Sequence, residues 1–64
     1  MASIGERLRE ARGDIPRKNV CEKVGISLSA LMMYENDKRV PRDSIKIKLA
    51  ELYGKKIEEL FYLT

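Results

Sequence analysis

Apolar residues recur along this chain at helical intervals, and short polar or glycine-bearing breaks separate the runs. Ile4, Leu8 and Ala11 fall at i, i+4 and i+7 and share one face of a helix, while Glu6, Arg7, Arg9 and Glu10 point away from it. Ser3 and Glu6 have the capping-box spacing at its start, and Gly13-Asp14 ends it. Pro16 is tolerated at the head of a second helix because the N–H it lacks has no partner there, with Asp14 as the expected capping oxygen. Val20 and Val24 are the inward residues of that helix. A third helix is expected from about Leu28 to Tyr34, with Ala30, Leu31 and Tyr34 facing inward. Asn36-Asp37 breaks it, Asp37 being a residue type that tolerates a left-handed conformation. The run Ile45-Lys46-Ile47-Lys48-Leu49 alternates like a strand. Asp43 as N-cap, the i, i+4, i+7 spacing of Ile45, Leu49 and Leu52, and a stop at Gly54 instead predict a helix over Ser44–Tyr53. Ile57, Leu60 and Phe61 form the apolar side of a short fifth. The pattern predicts an all-α protein.

Size and composition narrow the function classes. The 64 residues make one domain, 1–64, whose core is small enough for dimerisation to contribute to its stability. A single cysteine, Cys21, rules out an intrachain disulfide and reads as a small buried filler; the chain has no histidine. No metal-ligand spacing, Ser/His/Asp set or phosphate loop is present, so neither cofactor, metal, small-molecule ligand nor enzymatic activity is expected. MASIGERLRE is charged within six residues and lacks the apolar segment of a signal peptide, and no apolar run reaches membrane length. A reduced, cytoplasmic protein is expected. The net charge of +3 and pI near 9.2 are a mild basic bias. Its distribution says more: Lys38, Arg39, Arg42, Lys46, Lys48, Lys55 and Lys56 face only Asp43 and Glu51 in the same stretch. Such a run is either a solvated surface or a phosphate-facing flank. Lys46 and Lys48 are read as solvated.

The stretch RKNVCEKVGISLSALMMYEN, from Arg17 to Asn36, carries the most information. Val20, Val24 and Leu31 recur at inward spacings, and Cys21 is small where two helices cross. Gly25 occupies a sharp turn that favours positive φ, Ile26 follows as a plug, and Ser27 can cap the next helix. This is a helix-turn-helix pattern, in which the second helix lies in the major groove of DNA. The chain resembles the small Cro/repressor-like helix-turn-helix regulators, the XRE family. IGERLREAR looks like the family's first helix, YENDKRVP resembles its YENGKRxP segment, and LAELYGKKIEELF looks like its last two helices. The resemblance implies a compact five-helix, lambda-repressor-like DNA-binding domain.

It also implies roles for particular residues. Ser27, Leu28, Ser29, Met32 and Met33 occupy the base-reading side of the third helix. The family often has Arg, Gln, Thr or Lys at several of these positions; here two hydroxyls face three apolar side chains. Leu28 and Met33 can pack on thymine methyl groups, and helical geometry argues that at least one of Met32 and Met33 is exposed. Arg17, Asn36, Lys38, Arg39 and Arg42 are the expected phosphate contacts. Arg17 stands where the family often has a backbone-contacting Gln. Glu35 and Arg12 match a glutamate–arginine pair that joins the first helix to the reading head. The expected partner is double-stranded DNA, bound by a homodimer at a pseudo-palindromic operator, and the origin expected from the resemblance is bacterial or a mobile element. The apolar segment Leu60-Phe61-Tyr62-Leu63 either caps the core or forms the dimer seam. An alternative is a protein-interaction module, antitoxin-like or an anti-repressor, that uses the Leu28/Met32/Met33 surface.

Overall fold

A computed structural model describes residues 2–62. Those residues form α1 (Ile4–Arg12), α2 (Arg17–Val24), α3 (Leu28–Glu35), α4 (Asp43–Tyr53) and α5 (Ile57–Phe61), and no strand. The alternating Ile45–Leu49 segment is therefore helical. Burying Ile45, Leu49 and Leu52 on one side outweighs a local strand preference.

Each helix starts and stops for a local reason. Ser3 Oγ accepts from the Glu6 N–H (3.1 Å) and Glu6 Oε1 accepts from the Ser3 N–H (3.2 Å), which completes the expected capping box. Gly25 at φ 81° and Gly54 at φ 66° end α2 and α4 in the left-handed conformation. Two expected caps are not made. Asp14 is exposed and α2 has no side-chain cap; Pro16 precedes it in extended backbone. Asp43 is the first residue of α4, whose N-cap is Arg42. There its carboxylate acts on the positive end of the helix dipole instead of through a capping hydrogen bond.

The core is built from Leu8, Val20, Val24, Leu31, Tyr34, Leu49, Ala50, Leu60 and Phe61. Burial of each large aliphatic side chain contributes about 1.5–3 kcal/mol. Every helix supplies at least one member, so five short elements that are marginal alone are stable together. Leu60 and Phe61 cap this core, whereas Tyr62 is exposed; Leu63 lies outside the described residues. Cys21 is only partly buried, not a core filler. It lines a shallow groove with Lys18, Glu22, Gly25, Ile26 and Leu28. Desolvation, then the charge of Glu35, push its thiol pKa up, away from reactivity.

Lys46 is not solvated as the sequence suggested. Its ammonium donates to Tyr62 Oη (3.0 Å) and lies 4.9 Å from the Tyr62 ring centre and 5.6 Å from that of Phe61. The stem lies along the α4–α5 seam and the charge sits over two aromatic faces.

Candidate nucleic-acid interface

The geometry of the site begins where α1 meets the end of α3. Gly5 is buried there because no other residue fits. A Cβ on it would lie 2.7 Å from the Glu35 carbonyl carbon and 2.9 Å from Asp37 Oδ2. The Gly5 N–H donates to Asp37 Oδ1 (2.9 Å), so the loop after α3 is tied to the first turn of α1. Asp37 holds φ at 58°, the left-handed conformation expected of it. Hydrogen bonds from Ser3 and from the Gly5 N–H, with the nearby charge of Arg9, hold its carboxyl pKa below the usual value.

Beside this contact lies a cluster of arginines around one buried carboxylate. Glu35 is 1% exposed. Arg12 Nε donates to Glu35 Oε2 (2.7 Å), and its Nη2 lies 3.5 Å from Oε1. Arg12 Nη1 also donates to the Ile15 carbonyl (3.0 Å), which ties the α1–α2 turn into the same group. Arg17 Nε donates to Glu35 Oε1 (2.9 Å) from the first position of α2. Arg9 donates to the Glu35 carbonyl, so it turns back toward α3 and not out to solvent. The Arg12–Glu35 pair thus joins a larger assembly that locks α1, α2 and α3 to one another.

That assembly decides where the expected phosphate contacts stand. Arg17 is held against the last turn of α3, immediately before Asn36 and Lys38. Its Nε is engaged, yet the side chain remains 41% exposed. Lys38, Arg39 and Arg42 are exposed on the segment that follows, which folds back onto α3 through Lys38 N–H to the Met33 carbonyl (2.9 Å). Buried Pro41 anchors the middle of that segment. Arg17 on α2 and Lys38 on the α3–α4 loop are therefore brought to the same end of α3, although they are far apart in sequence.

The exposed side of α3 is apolar and open. Leu28, Met32 and Met33 are 51%, 42% and 41% exposed, and Ser27, Ser29 and Asn36 are exposed with them. Both methionines face solvent. At 100° per residue, positions 28, 32, 29, 33 and 36 form one stripe, while Leu31, Tyr34 and Glu35 occupy the buried side. Ser27 Oγ is used to cap α3, accepting from the Ala30 N–H (3.0 Å), so Ser29 carries the hydroxyl without that duty. Along Leu28–Glu35 the one ionisable carboxylate points inward.

A two-helix corner with a glycine turn and an open second helix is the form of the helix-turn-helix family. Residues 6–60 match that family, by far the greater part of the chain. The chain is a helix-turn-helix protein of the Cro/repressor-like kind. No curated protein and no solved structure matches it. The family is one of DNA-binding transcription regulators, and its five-helix, lambda-repressor-like fold is the one described above. Among the described residues no helix is long and apolar enough to cross a membrane.

Three parts of this helix-turn-helix interface escape local sequence reading. Asp37 reads as a loop residue, but its carboxylate reaches 32 positions back to Gly5 and fixes the loop that bears Lys38 and Arg39. Arg9 reads as an outward charge on an amphipathic helix; its partner is a backbone carbonyl that no pattern reveals. The start of α2 has no side-chain cap, and Pro16 in place of a capping hydroxyl was the available signal.

Proposed function

We propose that this protein is a sequence-specific transcriptional regulator, acting as a repressor that binds a pseudo-palindromic operator as a homodimer. The observation that carries the reading is the open stripe of α3 with Arg17, held by Glu35, and Lys38 at its end. Inserted in the major groove, α3 presents Ser27, Leu28, Ser29, Met32 and Met33 to base edges. Arg17, Asn36, Lys38, Arg39 and Arg42 reach the flanking phosphates and fix the register. Two copies related by a two-fold axis place their α3 helices about one DNA turn, roughly 34 Å, apart. The exposed side chains of Ile47 and Tyr62, next to the capped core, offer apolar surface for the second copy. Bound over a promoter, the dimer occludes polymerase.

Selection from a randomised duplex pool near physiological salt tests this reading. An enriched two-fold motif supports an operator-binding dimer. Salt-sensitive binding with no enriched sequence excludes it. One observation favours a second reading: Leu28, Met32 and Met33 form an apolar surface suited to a protein partner. That reading predicts binding with a shallow salt dependence, whereas phosphate contacts give a steep one.

A further inference from the structure

On the proposed reading of α3 as the major-groove helix, we infer that this protein recognises its site chiefly through the C5-methyl groups of pyrimidines, thymine above all. The exposed stripe holds Leu28, Met32 and Met33, and Glu35, the carboxylate of the helix, is turned into the interior. Of the two reading hydroxyls, Ser27 Oγ already accepts the Ala30 N–H of the helix cap, which fixes its direction. No amide or guanidinium projects from Leu28–Tyr34 to make the bidentate bonds that read guanine or adenine. In the major groove, the base feature that an apolar side chain recognises is the thymine methyl.

The charge at the end of α3 decides between DNA and a protein partner for this face. Arg17 is tied to Glu35 at the end of the stripe, Lys38 bonds back to Met33 there, Arg39 and Arg42 are exposed on the segment that follows, and Lys18 and Lys23 are exposed on α2. An apolar centre beside clustered cations complements a polyanion whose groove is lined with methyl groups. Methionine suits the task, since an unbranched, polarisable side chain follows an uneven row of methyls. Sequence preference of this kind is additive and modest per base. Burial of one methyl, at about 0.8 kcal/mol, corresponds to roughly fourfold in affinity.

The test starts from the site enriched by duplex selection. Each thymine in one half-site is replaced in turn by deoxyuridine, which removes the methyl group and leaves base pairing intact. The expected result is a loss of roughly fourfold at two or three thymines per half-site. Met33→Ala or Leu28→Ala should abolish the difference between thymine and uracil at the position that side chain covers. Both residues are exposed, so these variants keep the fold, which circular dichroism verifies. Cytosine in place of a critical thymine should weaken binding, and 5-methylcytosine should recover part of the loss. Equal binding of thymine and uracil sites at every position, with sequence preference intact, overturns methyl readout and leaves the regulator reading standing. Failure of the selection to enrich any motif overturns both.

Discussion

Removing Arg12 should destabilise the fold far more than removing Arg17, although both arginines bind the same carboxylate. Arg12 is 15% exposed on its side chain, against 41% for Arg17. Arg12→Ala leaves Glu35 buried with one partner, and that partner is half in solvent. It also removes the donor to the Ile15 carbonyl. Breaking a buried pair by deleting one member costs 3–5 kcal/mol, and retention of Arg17 places the expected loss near the bottom of that range, about 3 kcal/mol. Arg17→Ala leaves Arg12 beside both oxygens of Glu35, so the loss should be about 1 kcal/mol after discounting for solvent screening. At 4–8 °C per kcal/mol for a domain of this size, Arg12→Ala should lower Tm by roughly 12–24 °C and Arg17→Ala by roughly 4–8 °C. Urea and thermal unfolding followed by circular dichroism measure both. Arg12→Lys, which keeps the charge but loses the planar fork, should fall between them. An unchanged Tm for Arg12→Ala, or equal losses for the two variants, would refute the view that Glu35 is held from the inside by Arg12.

Arg17→Ala should also weaken DNA binding beyond its effect on folding, seen as a fall of about 0.9 in the slope of log affinity against log salt. The double variant Lys38→Ala/Arg39→Ala should reduce that slope by about 1.8 with little change in Tm; an unaltered slope would remove those residues from the phosphate contacts. Asp37 has a lowered pKa from its bonds to Ser3 and the Gly5 N–H, so its contribution is complete above the ordinary value of 3.8 and fades as pH falls below it. Asp37→Asn should flatten the acid limb of the stability–pH curve; an identical limb in the variant would discount the tie. The Tyr53 hydroxyl is buried without a hydrogen-bond partner, and desolvation followed by the charge of Glu35 push its pKa up to about 12. Tyr53→Phe should therefore leave Tm unchanged or raise it, since it removes an unpaired polar atom. In the wild type, the contribution of Tyr53 to stability should be constant below pH 10 and decline as pH rises from 10 toward 12.

Where a residue's partner lay one or two turns away, the sequence was legible. The Ser3–Glu6 box, the glycine stops at 25 and 54 and the i, i+4, i+7 faces depend on spacing alone, and all of them are present. The ion pair of Arg12 and Glu35 was legible by a different route, the resemblance to the family. What remained hidden was set by tertiary contact. Lys46 lies in a run of exposed-looking charges, but the return of α5 places two aromatic rings against it. Cys21 was assigned to a tight helix crossing, yet the α2–α3 corner leaves a groove at its side. Arg17 looked like a simple phosphate contact, and its tie to Glu35 depends on three helices meeting. A local pattern records which residues can be buried; it does not record which buried group will receive them.

α3 makes the limit concrete because it is apolar on both its buried and its exposed side. Its carboxylate is inside and three of its large apolar side chains are outside. In an ordinary amphipathic helix the hydrophobic effect chooses the buried face. Here it could not, since Leu28, Met32 and Met33 would gain as much from burial as Leu31 does. The orientation is imposed by what surrounds the helix. Arg9, Arg12 and Arg17 converge on Glu35, Gly5 packs against its backbone, and the Ser27 cap and Asp37 tie fix the two ends. Charge inside therefore keeps apolar surface outside. Met32 and Met33 keep about two-fifths of their surface exposed, which gains nothing from folding; on the proposed reading that surface meets base methyl groups and the cations beyond it meet phosphates. On that reading, the arginines gathered around buried Glu35 both hold the domain together and set which face of α3 is offered to DNA.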